Sequence, residues 1–264
     1  MSLLQSLLLG VLQGISEFIP ISSSGHLVVA RAVLGIGEIP LLYDVLLHVA
    51  TLIVVVVYFW TRIERILVAV GRWVLRRNTR DDVHHTRMAA LIIIATVITA
   101  ILGLVIRQLD LHLYPRVAAV AFLVTAAMLI LSRFARGTLD YEQLRSRHGV
   151  IVGAVQGIAV IPGISRSGST IFAALASGVS RERAGEFSFL IAIPAILGAT
   201  VLELRHFGEL GAAMDLSTLA AGFIGALVFG FLALSLLVRL VRGGQLWVFA
   251  IYLIPLGIWG LFAL

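Results

Sequence analysis

Two long apolar stretches of this chain are each broken in the middle by the same kind of polar insert, and that doubling narrows what the chain can become. Residues 3–34 are largely apolar but broken across Gln13–His26, QGISEFIPISSSGH, where a carboxylate, four hydroxyls and an imidazole crowd together. Residues 149–179 are broken at Gln156–Thr170, QGIAVIPGISRSGST. The Gln-Gly start, the Ile-Pro break and the serine-glycine end recur 143 positions apart, from Gln13 to Gln156, as in an internal repeat. Each break leaves two pieces shorter than the roughly 20 residues a spanning helix needs. Each stretch therefore reads as a re-entrant helical hairpin, with one kinked spanning helix as the plainer alternative. Irregular backbone persists at membrane depth only where protein or a wet cavity satisfies it, so both breaks should face inward as two halves of one site.

Of the 264 residues, 60% are hydrophobic and 13% charged, and the mean hydropathy is +1.05. These values define a polytopic membrane protein, not a soluble domain. The chain has no cysteine, which excludes a disulfide framework and thiolate metal sites. All twenty basic residues are arginine. A pI near 10.7 would suggest nucleic acid in a soluble protein, but these arginines flank apolar spans and read as topology signals, so no nucleic-acid partner is expected. The N-terminal run lacks the basic region and cleavage site of a removable signal peptide and reads as mature structure.

Span-length apolar segments follow the first hairpin at about 41–60, 88–106 and 114–133, and the second at about 186–204, 217–238 and 246–263. A half with three crossings must be followed by an inverted copy. The expected fold is therefore an all-α polytopic membrane protein with an inverted-topology repeat, two re-entrant helical hairpins plus six spanning helices. It would form a single integral membrane domain over 1–264, with repeats at approximately 1–134 and 149–264. Seven arginines in 61–87, four in 132–148, two in 180–185 and two in 239–244 all fall on one side, the cytoplasmic one, which places both termini outside. Arg31, Arg107, Arg116 and Arg205 fall on the other side, and Arg166 belongs to no loop. The arginine-rich 61–87 segment also suits an amphipathic surface helix.

Gln13 and Glu17 are four apart and share a helix face. Glu17 could bind a divalent cation, act as a base, or simply bond the unwound backbone of the tip. Ser22, Ser23, Ser24 and Gly25 stand where hydroxyls cap free amides and attract an anion to a helix start, although capping or helix packing alone would also explain any one serine. His26 could orient a hydroxyl or shuttle a proton. Arg166 cannot shed its charge, and its planar fork matches phosphate; a structural ion pair with Glu17 or Glu186 is its alternative. Ser165, Ser167 and Thr170 add donors around it, while Gly163 and Gly168 permit close backbone approach, and together these residues suit a phosphate cradle. Asp44 and His48 share a face and admit a metal, a proton or an ordinary interhelical role. No Walker A, His-Glu-x-x-His or Gly-x-Gly-x-x-Gly pattern occurs.

QGISEFIPISSSGH and PGISRSGST, together with SRERAGEFSFLIAIPAILGAT at 180–200 and the softer YDVLLHVAT at 43–51, make the chain resemble the bacitracin-resistance family of undecaprenyl-pyrophosphate phosphatases over nearly its whole length. The resemblance implies an enzyme that removes the terminal phosphate of undecaprenyl diphosphate, recycling the carrier lipid for cell-wall synthesis, with help from a divalent cation such as Mg2+ or Ca2+. It implies a location in the bacterial cytoplasmic membrane, a site open to the outer face, and bacitracin acting through the shared lipid substrate. By position, the family's acidic motif falls on Gln13 and Glu17, its Ser-Gly-His element on Ser23 and His26, and its arginine element on Ser165, Arg166, Ser167 and Thr170. Many members have glutamate at the position of Gln13; an amide oxygen can ligate a cation but cannot act as a base, so carboxylate chemistry would fall to Glu17. Many also have a proline where this chain reads ATVITAILG, so a straighter second span is expected. Ser23 is the candidate nucleophile, with a directly attacking water as its rival. A secondary transporter or lipid flippase for a phosphorylated polyprenyl lipid is the alternative function, because inverted repeats with broken helices also build carriers.

Overall fold

The computed structural model describes residues 1–36, 41–77, 79–109, 111, 114–203 and 215–263. Arg205 lies outside them. The described residues are helical nearly throughout, with no strand beyond one isolated bridge between Leu139 and Val179. The first half comprises the broken pair α1 (Leu3–Phe18) and α2 (Ser23–Val33), then α3 (Leu41–Tyr58), α4 (Trp60–Val74), α5 (Asp82–Arg107) and α6 (Pro115–Ser132). The second comprises the broken pair α7 (Ser146–Ile158) and α8 (Arg166–Ala176), then α9 (Arg181–Glu203), α10 (Leu216–Arg242) and α11 (Ala250–Ala263).

α5, most of α9, α10 and the segment Leu246–Ala263 are long and apolar enough to cross a membrane. α3 and α4 together would add a further span if their bent pair counts as one. Alone, α3 and α6 have 18 residues each, about 27 Å at the helical rise, near the lower limit for a bilayer core. α4 turns 78° away from α3. It buries only Ile66 and Ala69, while Trp60, Leu67 and Trp73 stay exposed among its arginines, as suits a helix lying among headgroups. α5 runs unbroken through ATVITAILG.

Small residues decide how the hairpins sit. Along α1, Gly10 and Gly14 meet Gly222, Ala226 and Gly230 of α10 so closely that a Cβ on Gly10 would stand 2.0 Å from the Gly222 carbonyl oxygen. Along α7, Gly153 and Gly157 meet Ala95 and Leu102 of α5, and a Cβ on Gly153 would stand 2.6 Å from the Ala95 Cα. These are small-residue seams of the kind that hold helices together in lipid, where burial from water supplies no drive between helices. The first arm of each hairpin thus packs on the second long helix of the opposite half, α3 packs on α9, and α6 packs on α11. Exchanging the halves preserves this pattern of partners.

The connection between halves is clamped at one end of the bundle. Arg62 donates to Glu186 at 2.5 Å and Arg183 pairs with Asp140 at 2.8 Å. Both guanidiniums also lie over the Tyr141 ring, 4.2 and 4.7 Å from its centre. Burial alone would raise the Asp140 pKa, but the Tyr141 amide and Arg183 outweigh it and hold the carboxyl below its ordinary value. Burial and the neighbouring Glu186 push the Tyr141 hydroxyl well above its usual range.

Candidate active site

Both hairpin tips break for local reasons. α1 ends at Phe18, Pro20 follows, and Ser22 takes the left-handed conformation at φ +70° before α2 starts at Ser23. A non-glycine residue held there is a strained position of the kind that collects at functional sites. In the second tip the left-handed residue is Gly163, at φ +91°, where a Cβ would stand 2.4 Å from the Ala118 carbonyl oxygen. Ser165 caps α8 by accepting from the Gly168 amide at 3.2 Å, and its own amide donates to Thr125 Oγ1 at 3.2 Å.

The tips touch. Ser167 Oγ donates to the Phe18 carbonyl across the gap at 2.9 Å, and a Cβ on Gly168 would stand 2.9 Å from Pro20 Cβ. Beside this contact a cavity of about 470 Å³ opens, walled by both tips, α3, α5 and α9. Glu17 lies at its centre of charge. One carboxylate oxygen accepts from Arg166, while the other accepts from Ser23 Oγ at 2.8 Å and Gln13 Nε2 at 3.1 Å. His48 Nε2 stands 3.6 Å from that second oxygen.

The sequence candidates divide by position. Glu17, Ser22, Ser23, Ser24, Ser165 and Arg166 line the cavity. Gln13 is fully buried behind Glu17, with its side-chain carbonyl oxygen unpartnered. Gly25 packs against Phe122. Gly163, Ser167 and Gly168 serve the turn and the tip contact just described, and Thr170 points at α9, where its hydroxyl shares a hydrogen bond with Ser188.

His26 sits off the cavity wall. Its Nδ1 lies 2.8 Å from the Ser22 carbonyl, which can only accept, so Nδ1 carries the hydrogen in the neutral ring. Nε2 is then the acceptor for the Tyr252 hydroxyl of α11, at 2.7 Å. Asp44 is taken by an ion pair with Arg31. Sequence reasoning did not single out Tyr252, Thr99 or Gln156 as site residues. Thr99 and Gln156 line the cavity, and only for Gln156 was there a signal, its repeat relation to Gln13.

For a cation, the donors at hand are hard oxygens. Among the described residues Glu17 is the one carboxylate joined to both tips, and the buried side-chain oxygens of Gln13 and of Gln156 on the cavity wall have no partner. Among the described residues no three His, Cys, Asp or Glu side chains gather as a metal cage. The set suits an ion that keeps most of its ligands from water and phosphate, as Mg2+ does.

Two broken helices meeting at an arginine, a carboxylate and a helix-start serine, inside a bundle of membrane-length helices, define a polytopic membrane protein with an internal polar cavity. The chain belongs to the family described as Bacitracin resistance protein BacA, whose profile matches residues 6–259. It is similar to the protein named undecaprenyl-diphosphatase of Treponema denticola, 42% identical over 262 residues, covering 98% of this chain and 96% of the relative. Proteins of the same name from Desulforapulum autotrophicum and Methanosphaera stadtmanae are 40% and 38% identical, over 96% and 98% of this chain and 95% and 96% of their own lengths.

Proposed function

We propose that this chain is a membrane phosphatase that hydrolyses undecaprenyl diphosphate to undecaprenyl phosphate and inorganic phosphate. Family membership and the name shared by its relatives support the reaction. The single observation that carries the site is Glu17 bonded at once to Arg166 of the second tip and Ser23 of the first, on the wall of one cavity. Arg166 has five donors in a fixed fork, enough to hold phosphate oxygens while still facing Glu17. The starts of α2 and α8 add free amides and positive dipole ends, which favour the same anion. Ser23 is the nucleophile of this reading, and Glu17, which accepts from its hydroxyl, orients it and receives its proton. As the bridging bond breaks, charge grows on the phosphate oxygens, where Arg166 stabilises it. A divalent cation held by Glu17 and Gln13 would neutralise further charge on the diphosphate.

The apolar surface of the bundle suits a polyprenyl tail lying in lipid. The enzyme would work in the bacterial cytoplasmic membrane with its cavity reached from the outer face, and bacitracin would meet it through the shared lipid. The deciding experiment measures phosphate release from undecaprenyl diphosphate by purified protein, with and without chelator. Release that depends on Arg166 and Glu17 is expected. Movement of the lipid across sealed vesicles without phosphate release would favour a flippase instead.

A further inference from the structure

We propose that Gln156, on α7, is a positioning residue for the hydrolytic water, accepting one water hydrogen on its side-chain carbonyl oxygen while the water oxygen faces phosphorus. The inference rests on the phosphatase reading and adds to it the residue that selects water as the phosphoryl acceptor. Gln156 lines the cavity and is 2% exposed. Its Nε2 spends both hydrogens, donating to the Ile191 carbonyl of α9 at 3.3 Å and to Thr99 Oγ1 of α5 at 3.2 Å. A carbonyl can only accept, and the Thr99 hydroxyl already gives its hydrogen to the Gly153 carbonyl at 3.0 Å. The amide therefore cannot be turned over. Its carbonyl oxygen, Oε1, is left fixed and without a donor.

Among the described residues, Oε1 of Gln156 is the one buried side-chain atom of the cavity wall left unpartnered. A buried acceptor without a donor is costly, and in a polar cavity water supplies the missing hydrogen. The repeat relation shows why the two glutamines differ. Gln13 turns its amide to Glu17, four residues on, whereas the residue four after Gln156 is Val160. With no carboxylate on its own helix, the Gln156 amide is held by α5 and α9 instead.

What Oε1 can hold follows from its chemistry. It repels phosphate oxygens, and an ionised diphosphate offers it no hydrogen, so it takes no part in the cradle around Arg166. The other carboxylate and amide acceptors near the tips are committed: Glu17 accepts from Arg166, Ser23 and Gln13, and Asp44 is paired with Arg31. A water held by one hydrogen keeps a lone pair for phosphorus and a second hydrogen for Ser23 Oγ. In the first step Oγ bonds the terminal phosphorus, the bridging P–O bond breaks with its electron pair on the lipid monophosphate, and the hydroxyl proton leaves through Glu17 to cavity water. In the second the held water bonds the phosphoseryl phosphorus and the Oγ–P bond breaks with its electron pair on Oγ. One water hydrogen moves to Oγ, and the one on Gln156 stays with inorganic phosphate.

Methanol exposes this role, because it has one hydroxyl hydrogen where water has two and cannot serve Gln156 and Oγ together. The experiment supplies purified enzyme with undecaprenyl diphosphate and methanol and measures methyl phosphate against inorganic phosphate, for wild type, Gln156→Met, Gln156→Asn and Gln156→Glu, with elution and melting behaviour checking the fold. In folded Gln156→Met and Gln156→Asn the ratio of methyl phosphate to inorganic phosphate should rise about 10-fold, as for one hydrogen bond lost from the transition state. KM should not rise, since Gln156 does not touch the bound diphosphate. Gln156→Glu keeps an acceptor oxygen and should hold the wild-type ratio. A slower Gln156→Met with the wild-type ratio would reduce Gln156 to a packing role and overturn the proposal. A higher Mg2+ requirement with that ratio unchanged would make it a cation ligand and overturn it equally. Should no variant fold, the unmodified enzyme decides, because wild type that phosphorylates methanol as readily as water, mole for mole, holds no selected water. No phosphate release by wild type would overturn the phosphatase reading itself, whereas release with an unchanged ratio removes only Gln156.

Discussion

In the proposed reaction Arg166 and Glu17 would have different work to do at a diphosphate, so their variants should fail differently. Arg166→Ala removes a phosphate contact present in the bound substrate and strengthened as charge develops, and should cost about 10²- to 10³-fold in kcat/KM, with both kcat and KM affected. Arg166→Lys should recover little, because a point charge lacks the fork. Glu17→Gln should mainly lower kcat and change the response to added Mg2+, since Gln13 leaves no second carboxylate on that face of α1. Steady-state kinetics against substrate and cation, on variants that elute as wild type does, checks all three. Ser22 and Gly163 show how far residue type alone foretells a role. The glycine at φ +91° suits its conformation, whereas a serine at φ +70° does not, and only the folded tip reveals that strain.

Helix pairing depends on glycines that sequence reading had assigned no role. Gly14→Ile would drive a branched side chain into the backbone of α10, where even a Cβ would stand 2.5 Å from the Ala226 carbonyl oxygen. It should lower the melting temperature sharply in a fluorescence-monitored thermal scan, and Gly153→Ile should do the same at α5. By contrast Gly71, where an added Cβ meets nothing within 4 Å, should accept alanine with no loss. The clamp at the junction of the halves supplies a pH test. Asp140 is held below its ordinary value of 3.8, so its contribution to stability is complete above that value and fades as the pH falls below it. Wild type should therefore melt higher than Asp140→Asn near neutrality, and the difference should shrink at about pH 3.

For the whole molecule, the decisive claim is that the two tips form one site. The chain has no cysteine, so a pair placed at Pro20 and Gly168, whose Cβ positions stand 2.9 Å apart, should crosslink on mild oxidation after a small shift towards disulfide spacing. Cysteines at Gly71 and Gly168 serve as the unlinked control, and a gel shift reads both; no crosslink at the tip pair would separate the hairpins. The sequence by itself determined the membrane class and the helical architecture, and it singled out the two polar breaks with Glu17, Ser23 and Arg166, because lipid penalises polar residues and broken backbone so heavily that they stand out from their apolar flanks. Only the tertiary structure decided which candidates reach the cavity. Glycine seams set the depth and rotation of each hairpin, turning Ser165 and Arg166 inward, Thr170 towards α9 and His26 towards Tyr252, while bringing His48 from another helix to Glu17. Spacing along one helix says which residues share its face. It carries no record of which neighbour that face will meet, because that is settled by contacts between segments far apart in the chain.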